Sequence, residues 1–219
     1  MTSEPEHLRS LYAQRFKNEE RQRTDLWAVL CSDFFQKWIP EDATVLDLAA
    51  GHCEFINNIR AGTRLAVDLN PDVKHRAAPG VTALVSRSDE MDAIASGTVD
   101  RVFLSNFLEH VSRETIVATL HEVRRVLAPG GKLLVLQPNI RYCAKDYWMF
   151  FDHITAIDDR ALVEVLRATG FDVEVCIPRF LPYSTKGRLP SSAALARLYL
   201  RVKPAWRLLG GQAFVVASR

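Results

Sequence analysis

The sequence predicts an α/β fold: a doubly wound, mostly parallel seven-stranded sheet with helices on both faces, an N-terminal helical cap and a helical insertion before the last strand. Three observations lead there. Short apolar runs of strand length recur along the chain. Stretches with helical periodicity lie between several of them. The runs are nearly continuous in apolar residues, as expected of strands covered on both faces. Strands alternating with helices imply parallel crossovers, and such sheets hold ligands beyond the carboxyl ends of their strands. Functional residues are therefore sought just after each apolar run.

Residues 6–38 have a helical pattern, with Leu11, Phe16, Leu26, Trp27, Leu30, Phe34 and Trp38 among many charges, and Pro40 ends it. Five apolar runs follow: Thr44-Val-Leu-Asp-Leu48, Arg64-Leu-Ala-Val67, Val81-Thr-Ala-Leu-Val85, Val99-Asp-Arg-Val-Phe-Leu104 and Lys132-Leu-Leu-Val-Leu136. Between the last two, Ile116, Leu120, Val123 and Leu127 fall on one helical face. Ser112 is placed to cap that helix, Glu114 suits its first turn, and Pro129 with two glycines stops it. A second helix is predicted near 159–169, with Leu162, Val165 and Leu166 inward, then an alternating strand Phe171–Ile177. Ser191–Arg201 has the pattern of a further helix, and Gln212-Ala-Phe-Val-Val-Ala217 that of the last strand.

A chain of 219 residues, 48% apolar and 25% charged, suits one well-buried domain. Its expected parts are an N-terminal cap (1–40), an α/β core (41–178), a basic helical insertion acting as a lid (179–211) and the final core strand (212–219). The start, Met-Thr-Ser-Glu-Pro-Glu-His, is not a secretory signal, and no apolar run reaches the roughly 18–20 residues of a membrane span. Cys31, Cys53, Cys143 and Cys176 are widely spaced, so the expectation is a cytoplasmic protein with reduced thiols. The net charge of +2 hides an asymmetry: residues 175–219 carry 8 basic side chains and no acidic one. That excess suits either a solvated face or a surface for an anionic acceptor, a partner or anionic lipid headgroups.

The first strand runs into Val45-Leu-Asp-Leu-Ala-Ala-Gly-His-Cys-Glu-Phe55, an acidic residue followed by a turn of small residues and a helix start. Small residues let a backbone approach a ligand closely, and the helix N-terminus beyond favours an anionic group. The second strand ends in Ala66-Val-Asp-Leu-Asn-Pro71. A carboxylate there can accept both hydroxyls of a ribose, each charge-assisted bond contributing roughly 1.5–3 kcal/mol. A plain strand–helix turn and a helix-capping Asp are the structural alternatives.

These two segments resemble the first two motifs of class I S-adenosylmethionine-dependent methyltransferases, a Rossmann-like family. Ser88-Asp-Glu-Met-Asp92 before Gly97-Thr-Val-Asp-Arg-Val102 is similar to the family's adenine-contacting loop and fourth strand. Ser105-Asn-Phe-Leu-Glu-His-Val111 resembles the segment after that strand, and Leu120-His-Glu-Val-Arg-Arg-Val-Leu-Ala-Pro-Gly-Gly-Lys132 the helix, turn and fifth strand. The resemblance covers roughly residues 43–175, in order. It implies S-adenosylmethionine as cofactor. Asp47 would orient its methionine end, with the backbone of Ala49 and Gly51 against it, and Asp68 would hold the ribose beside Leu69. Asp89 or Glu90 would accept from the adenine amino group with Met91 against the ring, and Asn106 and Phe107 would lie near the sulfonium. Tyr12, Phe16 or Trp27 can offer the sulfonium an aromatic face. The family's three alternating glycines are here Ala49, Gly51 and Cys53, and Cys53 is expected to narrow the turn. The same pattern disfavours a nicotinamide dehydrogenase, which wants GxGxxG at this point. A non-catalytic adenosine-binding scaffold is the alternative of another class.

Methyl transfer is an in-line displacement in which the protein aligns the reactants and excludes water. His110 and His153 are the general-base candidates, both expected on the ligand side of the sheet and His153 within the aromatic loop Asp146-Tyr-Trp-Met-Phe-Phe-Asp-His153. Their structural alternatives are a helix cap for His110 and a bond to a backbone carbonyl for His153. No acidic or histidine cluster has metal-ligand spacing in the sequence, so no metal is expected. The expected acceptor is a small molecule, glycan or lipid-linked sugar rather than nucleic acid, since Asn106-Phe-Leu-Glu109 is unlike a base-methylation motif. Basic residues interleaved with Leu, Tyr and Trp in the insertion suit contact with an anionic membrane.

Overall fold

The apolar runs form strands where the sequence places them. The computed structural model describes residues 20–183 and 192–219. Leu11, Tyr12, Phe16, Lys186, Arg188 and Ser191 lie outside these residues. Seven strands, β1 (Thr44–Leu48), β2 (Thr63–Asp68), β3 (Val81–Val85), β4 (Val99–Ser105), β5 (Leu127–Pro138), β6 (Asp172–Ile177) and β7 (Gln212–Ser218), form one sheet in the order β3-β2-β1-β4-β5-β7-β6. Neighbours from β3 to β5 are parallel, and β7 runs antiparallel to both β5 and β6.

Both faces of the sheet are covered. Val45, Phe103, Leu134, Leu136, Phe214 and Val216 point into one buried layer, and Leu46, Val102, Leu104, Leu133, Val135 and Val215 into the other. This is the period-two alternation of a strand, with apolar residues in both phases because neither face meets water.

The first layer is closed by helices α1 (Glu20–Asp33) and α2 (Glu54–Asn58) and by two helices of the insertion named below. Its centre is aromatic. Phe34 stacks on Phe180 with centroids 4.1 Å apart, and Phe55 stacks on Phe103 at 3.8 Å. Trp27 packs against Phe35 and the edge of Phe103, so it belongs to this layer. A short helix α3 (Val73–Arg76) follows β2.

The second layer is closed by α4 (Arg113–Val126) and, past α5 (Ile140–Tyr147), by α6 (Asp159–Ala168). The Ser112 side chain accepts from Thr115 N as a cap, as the sequence predicts. Helix α4 ends at Val126, before Pro129, because Leu127 turns extended and pairs with Val99 at the start of β5. Gly131 is needed there: a Cβ would lie 2.8 Å from the Ala128 carbonyl oxygen and 3.1 Å from that of Val99.

The insertion contains α7 (Ala193–Arg201) and α8 (Lys203–Leu209). Phe34 meets Trp206 edge-on, and Trp206 Nε1 donates to the Tyr199 carbonyl oxygen. The insertion therefore packs with the N-terminal segment. It does so as part of a sheet-covering layer, its Tyr199, Leu200 and Trp206 buried with the sheet residues Phe214 and Val216.

Candidate functional site

The parallel strands end together at one edge of the sheet, with Asp47, Asp68 and Asn106 at or just past the ends of β1, β2 and β4. The turn after β1 carries three left-handed residues in alternation, Ala49 (φ 56°), Gly51 (φ 51°) and Cys53 (φ 58°). The alternating glycines of the motif are thus a backbone requirement that Ala49 and Cys53 meet at a cost of about 1–2 kcal/mol each. The expected crowding by Cys53 is corrected by the geometry. Its side chain is fully buried with Val73 and Phe55, away from the turn's open side, and burial pushes its thiol up to about 12. A side chain at Gly51 would meet no atom within 4 Å, so the turn faces open space.

Asp68, the last residue of β2, reaches across to this turn. Its Oδ2 accepts from Gly51 N at 2.7 Å and its Oδ1 from Asn70 N at 2.8 Å. Burial raises its pKa while these backbone bonds pull the other way. Each oxygen keeps a lone pair for a further donor. Asp47 is 3% exposed, and burial moves its carboxyl well above the usual range, a bond to the Ile56 backbone and the neighbouring Asp68 and Glu54 acting as lesser influences. Leu69 is half-buried beside Asp68.

The loop after β3 differs from expectation in two respects. Asp89 is engaged by Arg87, Nε to Oδ1 at 2.9 Å and Nη2 to Oδ2 at 2.9 Å, and this bond holds its carboxyl low. Glu90 and Asp92 are the exposed acidic residues of this loop. Met91 is 1% exposed and lies in the core, not on the surface expected of a residue that faces a ring. Its backbone is fixed instead: its N–H donates to Glu122, and its carbonyl accepts from Arg125, which also bonds the Ile94 carbonyl. Arg87, Glu122 and Arg125 are organising residues that the sequence did not single out.

Beyond β4, Asn106 is exposed with φ 48°, and its N–H donates to the Leu136 carbonyl of β5. Phe107 is half-buried. A short 3-10 turn, Leu108–His110, follows. The loop bearing His153 is tied onto this turn. Ile154 N and Thr155 N both donate to the Glu109 carbonyl, Thr155 Oγ1 to the Val111 carbonyl, and Tyr147 OH to the Thr155 carbonyl. These bonds bring the two predicted histidines together, their rings 4.9 Å apart and edge-on. His153 also packs against Tyr147 and Phe150. His110 does not cap a helix. Its Nδ1 lies 3.1 Å from the Asp152 carbonyl oxygen and 3.3 Å from Asp152 Oδ2.

Sequence inspection missed Glu109 in this group. It is 1% exposed, and burial pushes its carboxyl up to about 7. Its Oε2 accepts from Gln137 Nε2 at 2.8 Å, and its Oε1 lies 3.7 Å from His110 Nε2. The available signal was an acidic residue inside Phe107-Leu-Glu-His-Val111, where apolar neighbours imply burial. The expectation of no metal set is revised accordingly: ligand atoms of Glu109, His110 and His153 all lie within 4.8 Å of one another.

Comparison with known proteins identifies the family and supports the fold. A family model described as a methyltransferase domain matches residues 19–175. No curated protein matches the chain. Among solved structures, an S-adenosylmethionine-dependent methyltransferase from Archaeoglobus fulgidus is 18% identical with a TM-score of 0.69, covering 95% of this chain and 98% of that one. A complex between the Haloferax volcanii Trm112 methyltransferase activator and a methyltransferase matches at 17% identity and TM-score 0.64, covering 94% and 93%. The geranyl diphosphate C-methyltransferase of Streptomyces coelicolor matches at 14% and 0.59, covering 88% and 79%. The family model covers most of the chain, and the chain is a member of the class I S-adenosylmethionine-dependent methyltransferase family.

Proposed function

We propose that the enzyme methylates a small anionic acceptor, either a free small molecule or glycan or one carried on a lipid, held between the histidine pair and the aromatic loop. S-adenosylmethionine, when bound, supplies the methyl group on its sulfonium. On the cofactor side, the left-handed turn at Ala49 and Gly51 offers backbone to the methionine end, with Asp47 beneath it. Asp68 takes the ribose hydroxyls, with Leu69 beside the adenine and Glu90, rather than the engaged Asp89, next to its amino group. Asn106 and Phe107 border the reacting centre.

The observation that carries the acceptor assignment is the pairing of His110 with His153 at the carboxyl end of β4. A neutral imidazole there can take the proton that an acceptor hydroxyl or ammonium must lose, an effect of about 10²–10⁴-fold. The adjoining surface is apolar. Trp148, Met149, Phe151 and Ile154 are 54–82% exposed. Arg179 links α5, which leads into this loop, to the insertion, lying over the Tyr142 ring and donating to the carbonyls of Leu208 and Gly210. On the insertion, Leu195, Leu198, Val202, Leu208 and Leu209 are exposed among Arg197, Arg201, Lys203 and Arg207. Exposed leucines interleaved with cations favour an anionic, partly apolar target at a membrane surface. The geranyl diphosphate enzyme among the structural relatives acts on a molecule of that chemistry, an anionic group on an apolar chain.

No helix among the described residues is long and apolar enough to cross a membrane. Contact would therefore be peripheral, through the exposed loop and insertion. Replacing Arg197, Arg201, Lys203 and Arg207 together by Gln should weaken sedimentation with anionic vesicles at least tenfold while leaving S-adenosylmethionine binding intact by calorimetry. Unchanged vesicle binding would remove the membrane-surface assignment.

A further inference from the structure

We propose that Glu109, His110 and His153 form a binding site for one divalent first-row transition ion, with Asp152 and Gln137 as the groups that orient the ligands. The three donors come from two segments held together by backbone bonds to the Glu109 and Val111 carbonyls, so the set is built by the fold and not by chance proximity of mobile surface chains. Glu109 is 1% and His153 7% exposed, and the His110 side chain keeps 16% exposure, which gives an ion a path in.

Two of the three ligands, His110 and Glu109, are oriented as a metal ligand requires. The Asp152 carbonyl can only accept, so in the neutral ring Nδ1 of His110 carries the proton and Nε2 keeps its lone pair. That Nε2 is the atom 3.7 Å from Glu109 Oε1. Imidazoles that bind metals commonly donate their other N–H to a carbonyl or carboxylate in this way. On Glu109, Gln137 Nε2 occupies Oε2 and leaves Oε1 on the His110 side. The buried Gln137 Oε1 has no hydrogen-bond partner among the described residues. Donors about 2.0–2.2 Å from a tetrahedrally held ion stand about 3.3–3.6 Å apart. The three ligand atoms, within 4.8 Å of one another, draw together by side-chain rotation on binding.

Two imidazoles and one carboxylate select Mn²⁺, Fe²⁺, Co²⁺ or Zn²⁺ over Mg²⁺ and Ca²⁺, which prefer oxygen alone. Three protein ligands leave coordination positions open, so the ion can also hold an acceptor oxygen. An imidazole that ligates the ion no longer serves as the general base, so in the ion-bound protein an acceptor hydroxyl would lose its proton on the ion instead. Ion binding is measured without acceptor or methyl transfer, which keeps its outcome distinguishable from that of the acceptor assignment.

The test uses the full chain stripped with chelator and titrated with Mn²⁺, which avoids competition from the exposed Cys176 thiol. Loss of the free-ion electron paramagnetic resonance signal should report one Mn²⁺ per chain. Glu109→Gln and His153→Gln should each weaken binding at least tenfold while S-adenosylmethionine binding in the stripped protein stays within twofold. Should either variant fail to fold, Co²⁺ in the wild-type chain decides: imidazole nitrogen coupling in its spin-echo spectrum is expected. No Mn²⁺ uptake, equal affinity in folded variants, or a Co²⁺ spectrum without nitrogen coupling would each overturn the site.

Discussion

At the residue scale, the turn after β1 shows how a motif can change its letters and keep its geometry. What the positions 49, 51 and 53 share is a positive φ, not glycine itself. The left-handed conformation costs an alanine about 1–2 kcal/mol, and glycine returns roughly 0.5–1 kcal/mol of that as extra chain entropy. Ala49→Gly should therefore raise Tm by about 1–4 °C in calorimetry. Cys53→Gly relieves the same backbone but empties a buried site at a cost of about 1–3 kcal/mol. Its Tm should fall. Thiol accessibility gives a second check at this scale. Cys31, Cys53 and Cys143 are buried and Cys176 is exposed, so one thiol per native chain should react with an aromatic disulfide reagent and four after unfolding. Asp68 bears on function directly. Asp68→Ala removes the acceptor of Gly51 N as well as the proposed ribose contacts, and S-adenosylmethionine binding should weaken at least 100-fold by calorimetry.

At the element scale, one ion pair fixes the loop between β3 and β4. Arg125, on α4, bonds Glu122 with two nitrogens and reaches the Met91 and Ile94 carbonyls, while Glu122 holds Met91 N. The Arg125 bond keeps the Glu122 carboxyl below its ordinary value of 4.5. The sign follows from that direction. The clamp contributes in full above about pH 4.5 and is lost as pH falls through the lowered folded-state value. Glu122→Gln should flatten the acid limb of stability between about pH 5 and 3 in a urea titration. Hydrogen exchange at residues 91–98 should speed up in the same variant at neutral pH, whereas exchange in β4 should not change. The loop carrying His153 is positioned by a similar device, with the Glu109 carbonyl accepting from both Ile154 N and Thr155 N.

At the scale of the whole molecule, the sheet is clamped between two unlike layers. One is aliphatic and closed by α4 and α6, and the other is aromatic and closed by α1, α2 and the insertion. Phe214 sits at the meeting point of the aromatic layer, with Phe34, Phe35, Trp38 and Phe180 rings 5.1–6.1 Å away. Phe214→Ala should cost about 3–5 kcal/mol and lower Tm accordingly. Because the insertion shares this layer, its helices should lose far-ultraviolet ellipticity in the same transition as the sheet. The surface pair Arg197–Asp33, 3.6 Å apart and half exposed, adds less than about 1 kcal/mol to that docking.

By itself, the sequence determined the strands, the cap at Ser112, the helices α4 and α6 and the family, but not the short helices α3 and α5. The features it determined follow from local periodicity and from residue types at fixed short spacing, which chain geometry converts into structure without knowledge of distant partners. The tertiary structure decided where side chains point and which distant segments meet. It turned Cys53 into the core and committed Asp89 to Arg87. It buried Met91, and it brought His153 beside His110 and the hidden acid Glu109. The reason is physical: a one-residue change in register moves a side chain to the opposite face, and loops far apart in sequence meet only after the sheet has closed and their backbone bonds have formed.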